Sequence, residues 1–357
     1  MKVYINYLIK NFVSSIIFVF LILISLIFIL NILGEIEFFK NIEVKQYYPI
    51  ALAAINTPSL IFEMFPFIFL ISTQIFFLNL FNDNQIQIFK YSGLKNTQII
   101  KIITSTAFFI GFLIIIFFYN FSSNLKNYYL ELKFKHTADD KYLAVITNNG
   151  LWIKDKVENN ISIINAQKID KNFLINTFIT EFDKDFNVIR NIKSKKVDIN
   201  RYDWIIYDAE VYKDGSYNKY PEIIVTSNFD YRKIKNLFSN LSSLSLLELF
   251  QLKKNYKDLN YSTTEVNIEI HKILSYPIYL TLMTIFAAFM MLNFKELHGN
   301  TLKIIIGLFL SVIIYYINNF FYVMGNTEKL SVITSIWMPQ LFLIFLNFLM
   351  MIKINEK

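Results

Sequence analysis

Apolar residues fall into six long runs, three within the first 125 positions and three within about the last 85, around a polar stretch of roughly 145 residues. The runs are Phe12–Leu33, Leu60–Leu80, Ile102–Phe121, Leu274–Phe294, Ile304–Phe321 and Val332–Met351. Each is close to the roughly 20 residues a helix needs to cross a hydrocarbon core about 30 Å thick. The first contains no charged residue, and the second carries Glu63 near one end and Pro66 just inside it. That proline predicts a kinked or tilted span rather than a break, because neighbouring helices can satisfy the carbonyl it frees. The pattern predicts an α-helical integral membrane protein with six transmembrane helices and a domain inserted between the third and fourth.

Between the two sets of spans the period changes. Phe178–Asp183 and Trp204–Tyr212 alternate imperfectly between apolar and polar, as half-buried strands do. Turn-prone Asn149-Gly150, Asp183-Lys184-Asp185 and Asp214-Gly215 punctuate them. Further short strands are expected at Tyr142–Thr147, Leu151–Lys154, Asn160–Ala166, Asn187–Ile192 and Lys196–Ile199. Many short strands with polar turns predict an all-β sandwich or open roll. Trp152, Phe173, Phe178, Phe186, Trp204 and Tyr207 suffice for its core. Two readings stay open for that core: ordinary packing, or a roll whose inner face admits a lipid chain. Ser242–Asn255 predicts an amphipathic helix opened by serines and ended by Lys253-Lys254, a favourable dipole arrangement. A polar helix through Thr263–His271 then leads into the fourth span, with Glu265, Glu269 and Lys272 able to share one face. The expected divisions are 1–125 and 271–357 for the two half-bundles and 126–270 for the inserted domain.

Charge orients this layout. The formal charge is +7, from 35 lysines and arginines against 28 acids. Membrane proteins hold their bases on the cytoplasmic side, which explains the excess better than nucleic-acid binding does. Lys2 and Lys10, then Lys90, Lys95 and Lys101, then Lys295 and Lys303, then Lys353 and Lys357 fall on one side. The 34–59 connection and the 325–331 loop, with acids and bases mixed, fall on the other. Both termini are therefore expected in the cytoplasm and the inserted domain outside it. There is no cysteine, hence no disulfide framework or thiolate chemistry. The first apolar run is too long for a signal-peptide core and lacks a small-residue cleavage site, so it is expected to remain.

Catalytic patterns are missing from the sequence. It has no phosphate-binding glycine loop and no zinc-binding His-Glu spacing. His136, His271 and His298 lie far apart, near domain or membrane boundaries, and are expected in solvent or packing roles. Metal and cofactor sites are not expected, and the chain does not read as an enzyme. The most informative local segment is the connection between the second and third spans, 82–94. Ile86, Phe89, Tyr91 and Leu94 give it an apolar side, Asp83 and Asn84 are placed to cap its start, and Ser92-Gly93 to stop it. Such a helix either lies in the membrane interface or docks into another protein and transmits motion to both flanking spans.

At this level of detail the chain resembles the LptF/LptG permease family, the membrane subunits of the ATP-driven lipopolysaccharide exporter. The stretches that carry the resemblance are Tyr7-Leu8-Ile9-Lys10, Met64-Phe65-Pro66, Tyr91-Ser92-Gly93-Leu94, Gly150-Leu151-Trp152-Ile153-Lys154 and His271-Lys272-Ile273-Leu274-Ser275-Tyr276-Pro277. Their order and spacing span nearly the whole chain, and the Gly-Leu-Trp-Ile-Lys stretch leans toward the LptG side. The resemblance implies a periplasmic β-jellyroll and an LptF/LptG heterodimer enclosing a lipid cavity. It implies an LptB-like ATPase dimer beneath, LptC/LptA-like periplasmic bridge proteins beyond, and lipopolysaccharide as the cargo. It also makes 82–94 the coupling helix, with Asp83, Gln85, Ile86, Phe89, Tyr91 and Gly93 as its contacts. Trp152, Ile161, Ile163, Trp204 and Ile206 become candidate lipid-path residues in the jellyroll.

Two departures from the family pattern stand out. The coupling helix usually carries an acid eight positions before its glycine, where this chain has Gln85, with Asp83 two residues earlier. LptG relatives also place a lysine near the outer end of the first span to meet lipid phosphate, where this chain reads Asn31-Ile32-Leu33-Gly34-Glu35. Asn31, Lys40 and Lys45 are then the candidate headgroup contacts. Two other function classes remain in play: a permease for lipoprotein or another amphiphile, which commonly has four spans, and a scaffold, which would commonly carry a cytoplasmic signalling domain.

Overall fold

The computed structural model describes residues 3–42, 44–134, 151–157, 160–170, 172–213, 215–231, 234, 240–258, 262–293 and 299–355. The expected strand Tyr142–Thr147, His136, His298, Lys2, Lys295 and Lys357 lie outside them. Two compact units divide the chain: Met1–Tyr129 with Thr264–Lys357, and Leu130–Thr263.

The first unit is helical. It contains α1 (Val3–Phe38), α2 (Tyr47–Asn82), the short α3 (Gln85–Tyr91), α4 (Asn96–Leu113), a π-helical segment (Ile114–Tyr119) and the start of α5 (Asn120–Phe134). After the inserted unit come α7 (Thr264–Asn293), α8 (Asn300–Asn326) and α9 (Val332–Asn355). Among the described residues six helical spans are long and apolar enough to cross a membrane, the third running continuously through α4, the π segment and α5. α1 and α2 are 36 residues each, about 54 Å at 1.5 Å per residue, so both extend well past a 30 Å hydrocarbon core. A buried cluster of Leu70, Met283, Ala287, Ile314 and Leu343 joins α2, α7, α8 and α9.

α2 continues through Pro66 without a break. A proline in mid-helix leaves the carbonyl four residues earlier without its N–H partner, here that of Phe62. The Tyr276 hydroxyl of α7 donates to that carbonyl. Its ring also stacks on Phe62 with centroids 4.7 Å apart. Two segments singled out separately in the sequence, Met64-Phe65-Pro66 and Tyr276-Pro277, therefore form one interhelical repair. Phe62 also contacts Tyr119 of the π segment, centroid to centroid 5.1 Å. Elsewhere the helices meet through small residues, as membrane bundles do. A Cβ at Gly111 would lie 3.0 Å from the Pro277 Cα, and one at Gly307 2.1 Å from the Gln74 Nε2.

Among the described residues the second unit carries six strands: β1 (Leu151–Val157), β2 (Asn160–Asp170), β3 (Phe173–Phe182), β4 (Val188–Asp198), β5 (Asp203–Lys213) and β6 (Ser216–Thr226). They pair antiparallel in sequence order as one meander. After it come a 3-10 turn (Leu241–Ser243) and α6 (Leu246–Asp258). The α6 helix starts at a capping box in which Ser245 and Glu248 bond reciprocally, three residues later than the expected Ser242 start.

The imperfect alternation has a structural cause. Buried positions step by three rather than two at one level of the sheet: Leu174 to Thr177, Ser194 to Val197 and Ile206 to Ala209. These steps are in register across β3, β4 and β5, and Ala166 and Ile169 of β2 continue the row. Asn176 and Asp208, at φ 50 and 47, supply the left-handed backbone there, which Asn and Asp tolerate best. A row of such irregularities bends a sheet.

The bend is large. The buried Asp155 carboxylate of β1 accepts from the Ser227 hydroxyl, the Asn228 backbone N–H and the Asn228 side-chain amide. Two residues on, the Phe229 carbonyl accepts from the Trp204 indole of β5 at 2.7 Å. In a flat sheet these anchor points would lie about 19 Å apart sideways, four strand spacings, and roughly 30 Å apart lengthwise. Three consecutive residues reach only about 7 Å between their outer Cα atoms. The sheet is therefore rolled, with Ser227–Phe229 strapped across its inner face. Among the described residues no pairing joins β6 to β1.

Candidate functional site

The best-defined exposed feature of the helical unit is α3, spliced between the second and third spans. Its stop is a Schellman motif: Leu94 N–H donates to the Phe89 carbonyl and Gly93 N–H to the Lys90 carbonyl, with Gly93 at φ 81. Its start differs from expectation. Asn84 adopts a left-handed conformation at φ 55, and no side chain caps the helix. Asp83 instead accepts from the Gln85 side-chain amide at 3.0 Å, while Gln85 Oε1 accepts from the Tyr7 hydroxyl of α1 at 2.9 Å.

The apolar residues of α3 divide between two faces. Ile86 is buried, only 6% exposed, and Phe89 is half-buried against Tyr7, ring centroids 6.4 Å apart. Ile88 and Tyr91, three residues apart and so on one side of the helix, are 59% and 89% exposed. Ile86 and Phe89 therefore pack against the protein's own helices, and Ile88 with Tyr91 forms the exposed apolar side. Sequence reasoning passed over Ile88; taking the apolar positions as two i, i+3 pairs would have found it. Beside this face an apolar groove of about 600 Å³ is lined by Tyr4, Tyr7, Ile88, Phe89 and Leu94 among others.

A second constellation of polar groups sits where α1, α2 and α5 meet. Asn31 donates to the Ala53 carbonyl at 2.9 Å, Asn56 donates to Asn31 Oδ1 at 3.2 Å, and Lys126 Nζ donates to Asn56 Oδ1 at 2.7 Å. Glu35, buried, accepts from the Tyr129 hydroxyl at 2.6 Å, and Lys126 lies over the Tyr129 ring at 4.9 Å. The base at this level thus comes from the third span, not the first, a placement no reading of the first span alone would find. Lys40 and Lys45 are exposed in the α1–α2 connection, Lys45 lying 5.9 Å over the Tyr47 ring. They do not join the Asn31 network.

In α7 two of the three residues expected on one face meet: Lys272 lies 3.3 Å from Glu269, the Tyr322 hydroxyl of α8 donates to the other Glu269 oxygen at 3.2 Å, and Glu265 is exposed. Both oxygens of that buried carboxylate are satisfied, as burial of a charge requires. Among the described residues no group of three or more His, Asp or Glu is arranged to hold a metal.

The five sheet residues are not gathered on one surface. Trp204 and Ile206 are fully buried on the inner face of the roll. Trp152 pairs in register with Asn165 and so shares the opposite face with Ile161 and Ile163. On that face Trp152 is 52% exposed, Ile163 half-buried and Ile161 buried.

Comparison with curated proteins returns no match. The family profile described as lipopolysaccharide export system permease LptF/LptG matches residues 6–353. Because that match takes in all six spans and the inserted sheet, the chain belongs to the LptF/LptG family of membrane permease subunits.

Proposed function

We infer that this chain is one half of a lipid-export gate, an LptG-like subunit paired with a paralogous LptF/LptG partner. In this reading an LptB-like cytoplasmic ATPase dimer docks on α3 and drives the spans. Lipopolysaccharide is extracted from the inner membrane and handed through the rolled domain, of jellyroll type, to LptC/LptA-like bridge proteins. The chain itself cleaves no bond; ATP hydrolysis belongs to the partner. Both termini and α3 face the cytoplasm, in keeping with Lys90 and Lys95 beside α3 and the mixed charge of the 34–46 connection. Lys126 takes the role of the missing first-span base toward a lipid phosphate, with Asn31 and Asn56 steering its ammonium.

The observation that carries this reading is the exposed Ile88–Tyr91 face on a seven-residue helix fastened at both ends to spans. Two exposed apolar side chains at a tight interspan connection favour a protein partner over an idle surface loop. The test is Ile88→Asp with Tyr91→Asp in the full complex. Insertion and folding should persist, since both side chains point outward, while co-purification of the ATPase is lost. Normal co-purification would remove α3 from the coupling role. Depletion of the chain should leave new lipopolysaccharide in the inner membrane; accumulation of a lipoprotein there instead would reassign the cargo but keep the coupling.

A further inference from the structure

α3 is tied covalently to the second span through Asp83-Asn84 and to the third through Ser92–Lys95, but the first span has no such tie. The first span is also largely exposed along its length, with Ile17, Leu21, Leu26, Ile29 and Leu33 all outward. A motion imposed on α3 reaches α1 through α2, on which α1 packs at Phe12–Phe76 and Phe20–Phe65, and directly through side chains at the start of α1. The contact that serves is the chain of hydrogen bonds from the Tyr7 hydroxyl to Gln85 Oε1 and from Gln85 Nε2 to Asp83 Oδ2, beside the Tyr7–Phe89 ring contact.

Resting on the coupling role given to α3 above, we propose that Tyr7 is a positioning residue that latches the first span to α3, with the Gln85 amide as the connector. The chemistry of position 85 fits that task. An amide presents one acceptor, taken by Tyr7, and one donor group, given to Asp83. A glutamate at 85 would keep the first bond but set two carboxylates against each other where a 3.0 Å hydrogen bond now stands. Glutamine at 85 and an acid at 83 are thus one matched pair, and the displaced acid becomes part of the latch. Tyr7→Phe keeps the ring beside Phe89 and removes only the hydroxyl; Gln85→Glu keeps the shape and breaks the connector.

The experiment uses the full transporter with its ATPase in nanodiscs. The chain has no cysteine, so Lys10→Cys and Lys90→Cys, both exposed, take spin labels without background from this chain. The expected result is a narrow distance distribution between them that broadens with Tyr7→Phe or Gln85→Glu, and broadens no further when the two are combined. Lipid released per ATP should fall about two- to tenfold, the worth of one neutral hydrogen bond, and in Tyr7→Phe ATPase co-purification should be unchanged. An unchanged distribution in both variants overturns the latch. Broadened distributions with full lipid release per ATP overturn its coupling role. Loss of the ATPase from the Ile88→Asp, Tyr91→Asp complex tests the docking reading separately, because those residues take no part in the latch.

Discussion

Tyr276→Phe isolates a single hydroxyl whose task is set by a proline on another helix. Pro66 frees the Phe62 carbonyl, and the Tyr276 hydroxyl is the donor that meets it, inside a bundle where Phe62 and Tyr276 are both buried. Phenylalanine preserves the ring stack on Phe62 but leaves a buried carbonyl without its donor. Side-chain hydrogen bonds within membrane bundles are worth about 0.6 kcal/mol on average and up to roughly 1.7. Leaving a buried acceptor unsatisfied costs about 1–3 kcal/mol. The structure therefore sets the loss at about 1–2 kcal/mol. The partner variant is Pro66→Ala, which returns an N–H to position 66 and lets the helix satisfy Phe62 by itself. In that background Tyr276→Phe should cost close to nothing. Reversible unfolding of the four chains in mixed detergent micelles, followed by circular dichroism, gives the double-mutant cycle. Equal losses in both backgrounds would refute the argument, since Tyr276 would then act by something other than repairing the proline.

Three further outcomes follow from the packing and the turns. Gly307→Ala should lower stability by about 2–4 kcal/mol in the same assay: the new methyl expels the fully buried Gln74 amide from its 2.9 Å bond to the Lys303 carbonyl and overpacks the contact. Gly34→Ala, with nothing within 4 Å, should be neutral or slightly stabilising. Asp183, in the β3–β4 turn, accepts from the Asn187 side chain and from the Asn187 and Asp185 backbone N–H groups, which hold its pKa below the ordinary aspartate value. A depressed carboxyl stabilises the fold above its unfolded pKa and loses that contribution as pH falls through the folded value. A carbon-13 NMR titration should place its midpoint below that of an unstructured aspartate, and the stability gap to Asp183→Ala should close with acid.

Much of this molecule was legible in the sequence because its strongest forces are periodic or compositional. The six spans were placed by apolar length alone, although the helices outrun their apolar runs: α1 reaches back to Val3 and α2 to Tyr47. Backbone hydrogen bonding continues each helix past its apolar run, in α2 even through Pro58. The strand Ser216–Thr226 went unread because it lies at an edge of the described sheet and is exposed from Ser216 to Glu222, with only Ile223 and Val225 half-buried, and it contains Pro221, tolerated at an edge. β4 was read as two strands, Asn187–Ile192 and Lys196–Ile199, because its side-chain parity reverses between Ser194 and Val197. At α3 the apolar content was visible, but which residues face inward depends on α1 and α2, which local sequence does not encode. Tyr7–Gln85 is 78 residues apart and Lys126–Asn56 is 70, separations only the fold brings together.

The row of reversed parity across β2 to β5 constrains how this domain can change over time. Within each strand the two-residue step on the outer face sets which half of the strand's side chains face inward. Deleting one residue from a single strand at that level would turn its far half inside out, exposing Trp204 and Ile206 in β5, for example, to solvent. Neighbouring strands would keep their own parity and could not follow. Length changes there succeed only if several strands change together, so this belt should be nearly free of insertions and deletions among related chains, while the turns at either end vary in length.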